Sequence, residues 1–162
     1  MPLKTSLLFA CLYAVVTLTT HAQHVEQKVN MIDSLSTLID NNVAGLKEGI
    51  SEGTLFNKHG KNIGGYSTYT LADNASLYRV RHEVSTDLFY KTTFYYQGRQ
   101  LCKAMVVIEE WKSGQLIKTV YSASYYFEGK HAIKIIGENE KFSDAEEILS
   151  DGETFMMEFT NR

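Results

Sequence analysis

Outside its first 22 residues the chain holds few groups suited to chemistry: His24, His59, His82 and His131, the single Cys102, and the acidic neighbours Glu109 and Glu110. A zinc site needs several His, Cys or carboxylate ligands converging on one point. No two of these histidines have ligand spacing on a helix or in a tight loop, and one cysteine cannot complete a thiolate set, so no metal is expected. His82 and Glu83 are neighbours in a strand pattern, so their side chains leave on opposite faces and cannot form an acid–base dyad. Glu109 and Glu110 fail as paired carboxylates for the same reason. Cys102 alternates with Ala104, Val106 and Ile108, which predicts a buried, inert thiol.

Residues 43–65 carry Gly45, Gly49, Gly53, Gly60, Gly64 and Gly65. Gly60 and Gly65 have the spacing of a phosphate-binding loop, but Tyr66-Ser67 stands where Lys-Ser/Thr is needed to meet the phosphates. No nucleotide site is expected. Cys102 has no identifiable base. The expectation is a protein that is not an enzyme and carries no cofactor. The alternative is a hydrolase-type site assembled from loops around His59.

The elements that must position any site can be read from periodicity. Val25, Val29, Ile32, Leu35 and Ile39 form one stripe of an amphipathic helix between Gln23 and Asn41, with Gly45 as a terminator. The glycine-rich segment reads as a loop or a short hairpin around Thr54-Leu55-Phe56. From Tyr66 the chain is rich in Tyr, Phe, Val, Ile and Thr, broken by turns at Asp73-Asn74, Gln97-Gly98, Ser113-Gly114 and Glu128-Gly129. Regularly spaced turns between such runs predict sequential antiparallel hairpins, with strands near 66–72, 76–85, 88–96, 99–112, 115–127 and 130–136. Ser143-Asp144-Ala145-Glu146 has capping-box spacing and starts a C-terminal helix; beyond Gly152 helix and strand are both open. The fold class is therefore α+β, a meander of about six strands packed on the N-terminal helix.

Gly64-Gly65-Tyr66, Phe94-Tyr95-Tyr96-Gln97-Gly98 and Tyr125-Tyr126-Phe127-Glu128-Gly129-Lys130 resemble a diffuse group of small exported bacterial proteins. The resemblance spans roughly residues 24–150. It implies an N-terminal helix, a hairpin meander and a short C-terminal helix, and no site residue.

Two-residue turns would set Trp111 opposite Leu116, Glu109 opposite Lys118 and Tyr126 opposite His131. One face then collects Cys102, Ala104, Val106, Ile108, Ala123, Tyr125, Phe127 and Ala132, a seat of small and aromatic residues for the N-terminal helix, with room for the C-terminal helix beside it. The opposite face is left to bind. It is expected to carry Tyr90, Arg99, Leu101, Lys103, Met105, Trp111, Lys118 and Tyr126, aromatics interleaved with basic groups of the kind that dominate interfaces.

The address comes from residues 1–22. Lys4, an apolar run from Ser6 to Leu18 and the small residues of Thr20-His21-Ala22 predict a signal peptide cut between Ala22 and Gln23. Removing 22 of 162 residues leaves 140, one domain from 23 to 162. Sixteen Lys and Arg stand against nineteen Asp and Glu, a balance without the electrostatic footprint of a nucleic-acid binder. No later stretch approaches membrane-spanning length. The sequence thus predicts an exported, periplasmic or secreted module that binds an unknown protein or small ligand. A further reading is an envelope or matrix component that self-associates through a sheet edge. Asn74-Ala75-Ser76 is a glycosylation sequon at a turn, relevant only in a eukaryotic host.

Overall fold

The computed structural model describes residues 3–42, 45–137 and 144–161, with side chains from residue 22 onward. Helix α1 spans Leu3–Asn41. It is followed by β1 (Lys47–Phe56), β2 (Asn62–Ala72), β3 (Leu77–Ser85), β4 (Phe89–Gln97), β5 (Gln100–Lys112), β6 (Gln115–Glu128) and β7 (His131–Gly137), then α2 (Ala145–Thr160). The strands form one antiparallel sheet in chain order, β1 to β7. The chain is an α+β meander with an N-terminal helix and a short C-terminal one.

The sheet has one strand more than expected. Residues 47–56 lie in the segment read as loop or short hairpin, yet all of them pair with β2. Gly49 and Gly53 occupy positions where a strand usually shows an apolar side chain, and they erase the alternation by which strands are recognised.

Bulges account for the register differences. Trp111 does face Leu116, but Glu110, not Glu109, faces Lys118, and their side chains form an ion pair at 3.1 Å. Two irregularities within β5–β6 shift the pairing by two residues, so Lys103 lies opposite Tyr126 rather than Ser124. A one-residue slip would have exchanged the faces; two slips restore them. At the β6–β7 turn Gly129 takes φ 59° and Glu128 pairs with His131, which moves Tyr126 opposite Lys134. A bulge at Cys102 separates the pairs Tyr95–Lys103 and Tyr96–Leu101. It exchanges two expected positions: Leu101 joins the core with Ala104 and Phe94, while Cys102 packs with Tyr95 and Tyr126.

The two helices cover opposite faces, and the face expected for α1 is taken by α2. The seat of Ala104, Val106, Ile108, Ala123, Tyr125 and Phe127 receives α2 through Ile148 and Met156. Helix α1 sets Val29, Ile32 and Ile39 against Leu71, Tyr95, Cys102 and Tyr126. Charge decides this choice. Glu26, Asp33 and Asp40 stand seven residues apart and pair with Lys134 on β7, Lys103 on β5 and Arg79 on β3. Seven helical residues rise about 10.5 Å, close to the roughly 9.6 Å between alternate strands. Carboxylates on one line of a helix lying across the strands therefore reach every second strand.

Helix α2 answers the question left at Gly152. Asp144 caps it, its side chain accepting from the Glu146 N–H at 3.1 Å, while Ser143 lies outside the described residues. The helix continues through Gly152 because that residue is its closest approach to the sheet. A Cβ there would stand 2.7 Å from Leu101 Cδ2, and Tyr96 Oη donates to the Gly152 carbonyl at 2.9 Å. The glycine costs helix propensity and permits the packing.

Candidate functional site

The eight positions expected on one face fall into four environments. Lys103 and Tyr126 lie beneath α1. The Lys103 ammonium donates to Asp33 Oδ1 at 2.7 Å and to Ser36 Oγ at 3.2 Å, and the Tyr126 hydroxyl donates to the same carboxylate at 3.0 Å. Burial, followed by the Asp33 carboxylate, pushes the Tyr126 hydroxyl up to about 12. Met105 is half-buried against the same cluster, and Leu101 belongs to the α2 core. Arg99 sits exposed on the β4–β5 turn. Tyr90, Trp111 and Lys118 remain at the other end of the sheet, where the odd-numbered strands finish. Tyr90 and Lys118 take the α2 side and Trp111 the α1 side, as their pairings with Ile108, Glu110 and Leu116 require.

Neither helix covers that end. Strand β5 has 13 residues, about 43 Å of extended chain, whereas a helix lying across the strands covers about 10–12 Å of their length. Every residue from Trp111 to Thr119 is exposed. Trp111 is 47% exposed and Leu116, its cross-strand partner, 48%. The Trp111 ring meets Phe89 edge-on at 6.3 Å, and its indole N–H donates to Glu109 Oε2 at 2.8 Å. Lys91 lies 5.9 Å from the Phe89 ring centre, while Phe56 and Ile117 add exposed apolar surface elsewhere on the uncovered strand ends.

The histidines are dispersed. His59 is exposed at the β1–β2 turn, where its backbone N–H donates to Asn57 Oδ1 at 2.9 Å. His24 and His131 are exposed as well. Among the histidines whose side chains are described, only His82 is set into the fold. It pairs with Thr68 across β2–β3, and the Thr68 hydroxyl lies 2.8 Å from Nδ1. Its ring sits between Tyr66, at 5.9 Å, and Phe155 of α2, at 5.5 Å. Burial lowers its pKa below the ordinary 6.5, with Asp151 opposing the shift, so the imidazole is neutral at pH 7. His82 lines a cleft of about 270 Å³ between β1–β3 and the C-terminal half of α2.

The sequence reading missed this cleft. Gly49, Ser51 and Gly53 occupy the α2 side of β1, since they pair with Thr70, Thr68 and Tyr66. The Thr70 hydroxyl lies over Gly49 and the Tyr66 ring over Gly53, each where a Cβ would otherwise be. Gly-x-Ser-x-Gly at period two marks a strand with one bare face, and that signal was present. Locating what stands above it required α2.

Cys102 is buried, and burial pushes its thiol up to about 11. Among the described residues no group of three or more His, Cys, Asp or Glu could hold a metal ion, and no helix is long and apolar enough to cross a membrane. Ala22 and Gln23 lie exposed within α1, while the side chains before Ala22, on which the leader reading rests, lie outside the described residues. Comparison with protein-family models, curated proteins and solved structures finds no match.

Proposed function

We propose that the chain is a non-enzymatic, exported interaction module that engages a partner protein through the uncovered end of its sheet. The observation that carries this reading is Trp111, 47% exposed beside Phe89 on strands that outrun both helices. A large apolar patch left in water marks a contact surface, and Trp and Tyr anchors supply most of the energy in such contacts. The neighbouring charges Lys91, Glu109, Glu110 and Lys118 are of both signs and supply the polar rim of a protein interface, not the single-sign field that attracts nucleic acid. Export rests on residues 1–22, with Gln23 the first residue of the released chain.

Two measurements in the producing cell test this. The amino terminus of the protein recovered outside the cytoplasm should be Gln23; an uncut chain retained in the cytoplasm contradicts export. A photo-crosslinking residue at position 111 should give one discrete adduct, while the same residue at position 99, at the opposite end of the strands, should give none. No adduct from position 111, or equal adducts from both, refutes the surface.

A further inference from the structure

The His82 cleft lies on the α2 side of β1–β3, and its lining differs in kind from the Trp111 surface. Its walls are the rings of Tyr66, Phe155 and Phe159, and its floor is opened by Gly49. The polar groups lining it are hydroxyls, the His82 imidazole and the Glu158 carboxylate, with no Lys or Arg among them. Glu158 is exposed and makes no ion pair or hydrogen bond among the described residues. The Thr68 hydroxyl occupies His82 Nδ1, leaving Nε2 without a protein partner among those residues.

Aromatic faces carry negative potential, and a carboxylate adds a full negative charge. Without a cation in the lining, an anionic ligand would meet only unfavourable potential. An organic ammonium meets three rings and a counter-charge. The volume of about 270 Å³ is close to the lower limit of ordinary ligand sites, which run from roughly 300 Å³ upward, and suits one compact head group. We propose that this cleft binds a small organic cation, a primary or quaternary amine, seated between Tyr66, Phe155 and Phe159 with Glu158 as its counter-ion. His82, held by Thr68, is the positioning residue that fixes the spacing between β3 and Phe155. The site does not depend on the Trp111 surface, being built from β1–β3 and α2.

Choline, methyl glucoside and inorganic phosphate, each titrated into the full chain, separate the ligand classes. Readouts are the proton resonances of the His82 ring and calorimetry. Choline should shift the His82 resonances in a saturable way, while the sugar and phosphate leave them unmoved. Glu158→Gln should weaken choline binding by about twofold to fivefold, with the melting temperature unchanged, because a charge contact at an exposed carboxylate is lost. Phe155 also packs on Phe94, so Phe155→Leu is read only alongside its melting curve. Absence of a choline shift at tens of millimolar, roughly the weak limit for a cation–aromatic site, overturns the proposal. So does stronger binding of the glucoside or phosphate, or a Glu158→Gln variant that binds choline as the parent does.

Discussion

The sheet divides into a half clad by both helices and a half clad by neither. In the clad half Phe94, Tyr96, Tyr125 and Leu101 are buried on the α2 side and Tyr95 and Tyr126 on the α1 side. In the uncovered half the same residue types, Trp111, Phe89, Leu116 and Tyr90, remain partly or largely in water. The strands are continuous through both halves, so strand propensity does not distinguish them. The helices do, and their placement follows charge on one side and a glycine on the other. Aromatic content along a strand therefore does not reveal which part of it is core.

The largest effect that would sharpen this contrast is expected at Phe94. Phe94→Ala should cost about 3–5 kcal/mol in urea unfolding, as for other buried aromatics. Lys103→Ala should follow at about 1–3 kcal/mol, because it removes charge-assisted hydrogen bonds beneath α1, discounted because Asp33 keeps part of its solvent. Trp111→Ala should change stability by less than about 0.5 kcal/mol while abolishing partner binding. A loss at Trp111 matching that at Phe94 would erase the distinction between the halves.

Two titrations divide the regions more finely. His82 has a folded pKa below its ordinary 6.5, so its contribution to stability is present above that value and is lost as pH falls through the lowered one. Melting temperature should therefore decline from about pH 6.5 downward, before carboxylates titrate, and His82→Gln should flatten that early slope. Tyr126 has the opposite sign. Its folded pKa of about 12 stands above the ordinary 10, so its stabilisation is complete below pH 10 and fades as pH rises toward 12. Tyr126→Phe should reduce the alkaline decline without moving the acid one. Cys102 should resist a thiol reagent at pH 8 in the folded chain and react once urea opens the clad half, since its thiol is buried and its pKa is about 11.

Much of the architecture was legible in the residues. The stripe from Val25 to Ile39 required a helix, and the glycine turns required sequential hairpins, because both depend on interactions within a few residues. Strand β1 was illegible because glycine removes the side-chain alternation that identifies a strand. The bulges were illegible because an inserted residue such as Cys102 looks like any other until two strands are laid side by side. Of the expected binding face, Trp111, Tyr90 and Lys118 stay exposed at one end of the sheet, Arg99 stays exposed at the other, and Lys103 and Tyr126 lie under α1.

The sequence by itself determined the elements other than β1 and the reach of α2 past Gly152, with their order and antiparallel pairing, since periodicity and turn chemistry act locally. Only the tertiary structure decided which face each helix covers. Glu26, Asp33 and Asp40 can be seen in the sequence at spacings of seven, but their value comes from cations on three strands distant in the chain. Gly152 likewise has its meaning only against Leu101, and the His82 cleft exists only where β1 lacks side chains beneath α2. Contacts between residues far apart in the chain leave no periodic trace, and the clad half, the uncovered half and the cleft are all set by such contacts.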